Sequence, residues 1–210
     1  MASRPEPVAV GVARDALSTA PSYDGLMITL EGPAARVLSA YTHLMVERGI
    51  RGATLEGVAS RAGLSKSGAL HHFASVSALQ AALFVELRAQ ARRDADEMRT
   101  APEGAVRYYL VSSLDRDSEL ELLIEAGYRI AQTGDETALE VLRECRREWL
   151  DVLGAATGDD HLARMVLFAG DGMNHNALMD LPVGEDVLTD EHVEELISAF
   201  EAMQSGGSAA

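Results

Sequence analysis

Lys66 is the only lysine in a chain whose other basic side chains are 17 arginines. Hydroxyls and imidazoles lie around it at short spacing: Thr54, Ser65, Ser67, His71 and His72, with Arg51 and Arg61 close by. Such a set is rich in hydrogen-bond donors and matches an acceptor-rich polyanion such as duplex DNA. The Lys66 ammonium suits guanine O6 or N7, or a phosphate oxygen. The Ser67 hydroxyl donates or accepts, and the Ala69 methyl suits a thymine methyl. Ser67, Gly68 and Ala69 are small, so a helix carrying them could bring its backbone close to base edges. Thr54 and Ser65 are helix-capping types, and the free N–H groups beside them suit phosphates. Arg51 and Arg61 are placed to clamp the sugar–phosphate backbone. His71 is expected to touch DNA, while His72 either touches it or packs beneath the following helix.

That chemistry needs a helix presented on a tight turn. Thr54 is the expected cap of a helix running to Arg61, with Leu55, Val58 and Ala59 inward. Ala62-Gly63-Leu64 makes the turn, Gly63 taking a positive φ and Leu64 packing between the helices. Ser65 caps the next helix, Lys66 to His72, which is too short to stand alone and must be held through Leu64, Leu70 and Phe73. Upstream, Pro33 to Arg48 reads as a helix with Val37, Leu38, Tyr41, Leu44 and Met45 on one face and Gly49 as its stop. Downstream, Ser75 caps a long helix over 76–99. Five more helical segments are expected near 103–114, 117–132, 135–156, 160–180 and 190–204, the last capped by Thr189 with a Leu188–Val193 staple. No strand pattern competes, so the expected fold class is all-α, with about nine helices. The expected organisation is a flexible extension (1–30), a helix-turn-helix domain (31–78), a larger helical body (79–204) and a disordered tail (205–210).

The net charge of −15 opposes DNA binding taken as a whole, because phosphates need cations. The charge is uneven, however. Residues 1–100 carry 11 basic and 10 acidic side chains; residues 101–210 carry 7 and 23. Within 32–80, Arg36, Arg48, Arg51, Arg61 and Lys66 face only Glu47 and Glu56. The positive field is local, and the acid lies in the other half, which suggests two modules with different partners.

The order Thr54-x4-Ala59-x3-Gly63-Leu64-Ser65-Lys66, then His71-His72-Phe73, then a Ser-capped long helix, resembles the N-terminal domain of TetR-type transcriptional regulators. The likeness covers about 31–88, and Phe168-Ala-Gly-Asp-Gly-Met173 and the all-α remainder are also similar to that family. The resemblance implies a homodimer that binds operator DNA and releases it when a small molecule enters the C-terminal domain. Two departures stand out. Leu70 occupies a position where many members have a phosphate-touching Tyr, and Val76 one where many have Lys. With those contacts absent, and with Glu56 placed to repel the backbone, the resemblance throws more weight on Lys66 and the arginines.

The second half is less explicit. Tyr109, Tyr128, Trp149, Met165 and Phe168, with Tyr108 and Met173, could line an apolar effector cavity, Asn174 and His175 with Asn176 serving as polar anchors, though core packing is the commoner role for any one of them. Asp171 and Glu125 interrupt apolar stretches, where a carboxylate needs a partner or a shifted pKa; one use would be to hold a cationic ligand, and the commoner explanation is an interface or surface position. The segments near 160–180 and 190–204, the latter striped by Val193, Leu196, Ile197, Phe200 and Met203, are expected to form a four-helix interface with a second copy. Cys145 alone excludes a disulfide framework, no signal peptide or membrane span is expected, and a cytoplasmic setting follows. No phosphate loop, nucleophile elbow or metal-ligand spacing occurs, so no catalytic residue, cofactor or metal is expected. Two rivals remain to the regulator reading: a small-molecule binding or sequestering protein with a weakened DNA head, and an all-α enzyme using Asp171, His175 or Glu125.

Overall fold

A computed structural model of the chain describes residues 32–115, 118–179 and 189–207. Among them the regular elements are all helices: α1 (Gly32–Gly52), α2 (Leu55–Arg61), α3 (Lys66–His72), α4 (Val76–Thr100), α5 (Ala105–Ser112), α6 (Glu119–Ala131), α7 (Glu136–Thr157), α8 (Asp160–Met179) and α9 (Asp190–Gly207). No single helix among the described residues is long and apolar enough to cross a membrane. The expected N-terminal extension, the Leu188 half of the staple and residues 208–210 of the tail lie outside the described residues.

The punctuation follows from side chains reaching back to free N–H groups. Thr54, Ser65, Ser75, Ser118 and Asp135 each accept from the backbone N–H three residues on, at 2.9–3.2 Å. Gly49 breaks the regular course of α1 with φ 66°, and one further turn follows to Gly52. At the other end, α9 runs past the expected stop at 204 and takes in the start of the expected tail. There the Ser205 hydroxyl donates to the Glu201 carbonyl at 2.9 Å.

The head is a small cluster around α1. Val37, Tyr41, Leu44 and Met45 bury against Val58 and Ala59 of α2, Ala69 of α3 and its C-cap Phe73, and Leu79 and Leu83 of α4. Behind it, α4 packs along α7, and α6 packs on α1, α4 and α7. Arg88–Glu144 (2.5 Å) and Arg92–Glu148 (3.3 Å) lie along the α4–α7 seam. α9 lies on α5, with Val193, Ile197 and Phe200 all buried. The apolar seam expected to meet a second copy is thus largely used up within the chain. What remains outward is Met203 on α9 and, on α8, Met165 and Phe168.

α8 approaches α5 closely at one point. A Cβ added to Gly170 would lie 2.5 Å from Tyr109 Cε1 and 2.9 Å from Ser113 Oγ. Gly170→Ala should therefore push the Tyr109 ring or part the two helices, at a cost of about 1–3 kcal/mol. The check is a urea titration: a lower midpoint with an unchanged slope is expected, and an unmoved midpoint would mean that the packing is loose.

Candidate functional site

The α2–α3 unit has the geometry its sequence requires. Gly63 takes φ 69° at the turn, and the Leu64 N–H donates to the Ala59 carbonyl at 2.9 Å. The Ser65 and Ser67 hydroxyls are 3.0 Å apart at the start of α3. Lys66, Ser67, His71 and His72 are exposed, the two imidazoles meeting edge to face at 5.4 Å. Arg51, Thr54 and Arg61 are exposed as well. Ala69 is not: it is fully buried, so its methyl cannot meet a thymine. The reason is periodicity. Ala69 and Phe73 are four residues apart and form the inward stripe by which this short helix is held. Gly68 is half-buried, and its missing side chain would point at Ser65 Oγ (3.3 Å) and Leu64 Cβ (3.6 Å), toward the cap rather than outward. Leu70 is half-buried beside the presented face.

Ion pairs alter the electrostatics of this face. Lys66 donates to Glu56, both side chains being more than half exposed, and Arg61 donates to Glu47 at 2.8 Å. The hydrogen bond from Lys66 holds the Glu56 carboxyl below its ordinary range, and Arg61 does the same for Glu47. Both acids of the head are thereby matched to cations. Glu56 acts first on the Lys66 side chain, a pairing that a list of residue types does not reveal. Such exposed pairs are weak and screened, so a phosphate could compete for either cation.

In the body, α4–α8 enclose a cavity of about 1010 Å³. Tyr109, Tyr128, Trp149, Asn174 and His175 line it, together with Tyr108, but its walls are rich in charge where an apolar cavity is expected from the sequence. Met165 and Phe168 do not reach it; they stand on the outer face of α8, 48% and 62% exposed. Asp171 and Glu125 line the cavity with partners in place. Arg146 clamps Asp171 with two hydrogen bonds, one of 2.9 Å, and Arg129 meets Glu125 at 2.7 Å. Among the described residues five lining carboxylates form no ion pair: Glu97, Asp115 and Glu119 are exposed, and the half-buried two, Asp94 and Glu121, are ones the sequence does not single out. Asp94 accepts from Tyr108 Oη (3.0 Å) and Trp149 Nε1 (2.8 Å), and Glu121 accepts from Asn174 Nδ2 (2.7 Å). The signal for Asp94 was present: it sits three residues after Ala91 and four before Met98, on a buried stripe of α4.

Two family models match the chain. The model of bacterial regulatory proteins of the tetR family matches residues 37–83, and that of the tetracyclin repressor-like C-terminal domain matches residues 103–201. The chain belongs to the TetR family of transcriptional regulators. Solved structures share the fold of this TetR-family chain. SCO7518 from Streptomyces coelicolor A3(2), a proposed transcriptional regulator, is 22% identical with a TM-score of 0.58, over 80% of this chain and 97% of that one. GusR from Salmonella enterica is 19% identical with a TM-score of 0.53, over 83% of this chain and 94% of that one. No curated protein matches the sequence. In TetR terms, α2 and α3 fall within the DNA-binding match, α5–α8 within the ligand-binding match, and α4 runs from one to the other.

The TetR-family cavity carries a charge cost. Burial pushes the Glu121 carboxyl up to about 7, the Asn174 hydrogen bond opposing the rise and Asp94, Asp115 and Asp171 adding to it. Burial raises Asp94 as well, against the hydrogen bonds from Tyr108 and Trp149. A carboxyl raised on folding binds its proton more tightly in the native state. It therefore costs no stability below about pH 4.5, and its cost grows until about pH 7. Glu121→Gln should accordingly stabilise the protein at pH 8, by on the order of 2 kcal/mol, and leave it nearly unchanged at pH 4.5. Denaturant titrations at the two pH values check this; an equal effect at both would contradict a charge-based cost.

Proposed function

We propose that this chain is a homodimeric repressor that a small molecule releases from a pseudo-palindromic operator. The observation that carries the reading is that the helices lining the cavity also hold the head. α4 begins at the cap beside α3 and supplies Asp94 to the cavity wall, while α6 carries Glu121 and Tyr128 into the cavity and packs on α1. An effector that fits one arrangement of α4 and α6 better than another shifts the spacing of two heads. Coupling of roughly 1–3 kcal/mol gives a 5- to 150-fold change in operator affinity. Two α3 helices would enter successive major grooves about 34–36 Å apart. A second copy would cover the outward α8 face that carries Met165 and Phe168.

In this reading Lys66 remains the base-proximal cation, now with Glu56 as its competitor. On DNA selected from random sequence, Lys66→Ala should weaken binding and, where Lys66 meets phosphate, flatten log K against log salt by about one unit. Glu56→Gln should do the reverse and tighten binding, since Lys66 no longer leaves a partner. A gel-shift series across salt measures both, and no change in either variant would remove Lys66 from the interface. Phe168→Glu should turn the dimer into a monomer in sedimentation velocity; an unshifted dimer would place the interface elsewhere.

The second reading, a sequestering protein with a weakened head, draws on the same ion pairs, because Glu47 and Glu56 offset two of the head's five cations. Absence of any sequence-specific retardation at low salt would favour it.

A further inference from the structure

We propose that the cavity takes an organic cation, its charge held between Glu121 and Asp94 and its apolar body among the rings of Tyr108, Tyr109, Tyr128 and Trp149. This rests on the reading of the cavity as the effector site and adds the chemical class of the effector.

The argument is an inventory of charge. Seven carboxylates line the cavity against three guanidiniums. Each guanidinium is engaged: Arg93 with Glu86 (2.9 Å), Arg129 with Glu125 (2.7 Å), and Arg146 with Asp171. Among the described residues Asp94 and Glu121 form no ion pair, and both receive hydrogen bonds from neutral donors only. A neutral donor orients a carboxylate without cancelling its charge. Two acids so placed in a partly desolvated site are costly when ionised, and the cost is relieved by a proton at low pH or by a counter-charge. An anionic ligand would add to the cost, and a neutral one would leave it standing.

The walls suit the same class. Tyr109 and Trp149 lie 6.3 Å apart with their planes inclined at 50° and are almost wholly buried, so a flat or branched apolar group can lodge against them. Ring faces attract cations, most strongly where water is excluded. Asp115 and Glu119, exposed and also lining the cavity, would draw a cation toward it. The volume, about 1010 Å³, accommodates a multi-ring molecule rather than a metal ion or simple amine.

Tetraphenylphosphonium and tetraphenylborate share a four-phenyl envelope and carry opposite charges, so together they separate charge from shape. Trp149 is the only tryptophan, and its emission reports occupancy of the cavity. The expected result with the full chain is saturable quenching by the phosphonium and none by the borate, with calorimetry agreeing. Glu121→Gln should weaken phosphonium binding about tenfold or more, and Asp94→Asn should weaken it further. Because Glu121→Gln is expected to stabilise the fold at the pH of the assay, its loss of binding would not reflect unfolding. Equal or tighter binding of the borate would overturn the proposal. So would phosphonium binding that both substitutions leave unchanged, or a failure of both tetraphenylphosphonium and the smaller benzyltrimethylammonium to bind. A gel shift on the same preparation keeps the two readings apart. Operator retardation without cation binding sinks only the effector class, whereas cation binding without any retardation supports the class and sinks the repressor.

Discussion

One packing arrangement governs this molecule: the inward ridge of α4. Leu79 and Leu83 belong to the head, Leu87 lies against Gly127 of α6, and Ala91, Ala95 and Met98 continue the ridge into the body. The 25 residues of the helix span about 37 Å. A rigid element seated at both ends cannot tilt at one without moving the other. The small residues matter for the same reason. Ala91 and Ala95 are completely buried where α4 meets its neighbours, so the helices are close and the contact has little slack.

Charge is handled differently at the two ends of that helix. In the head, acids and bases pair at the surface, where water and salt screen the result and DNA can take over a cation at small cost. In the body, Arg146–Asp171 and Arg129–Glu125 neutralise what lies beside them, but Asp94 and Glu121 keep neutral partners in a site that partly excludes water. The overall acidity of the second half thus divides into a screened exterior, which disfavours docking of the wrong face onto DNA, and a small internal remainder that is expensive.

Much of this was legible in the chain because it rests on local rules. Thr54, Ser65 and Ser75 announce helix starts through side-chain chemistry that acts within three residues, and all three cap as expected. Gly63 announces a turn by conformational permission. The misreadings came where long-range geometry decides. Ala69 reads as a small exposed residue until Phe73, four positions on, claims the inward face. Met165 and Phe168 read as cavity lining because α8 is apolar on several sides, and only the position of α5 and α7 decides which side is inside. Val193, Ile197 and Phe200 form an apolar seam whether their partner is another copy or this chain's own α5.

The cavity sharpens the point. Asp171 and Glu125 draw attention in the sequence because each breaks an apolar stretch, yet each has a guanidinium in contact, so their charge is already answered. Asp94 and Glu121 lie in segments rich in charge, Arg92-Arg93-Asp94 and Glu119-Leu-Glu121, and there look like ordinary surface residues. What separates the two pairs is the partner each finds: Glu125 has Arg129 one helical turn on, and the others find theirs across the fold. Arg146 reaches Asp171 from 25 residues away, whereas Asn174 reaches Glu121 from 53 residues away with an amide that carries no charge. A buried acid is informative through the charge left on it after its neighbours are counted, and by that measure the open valence of this cavity is cationic.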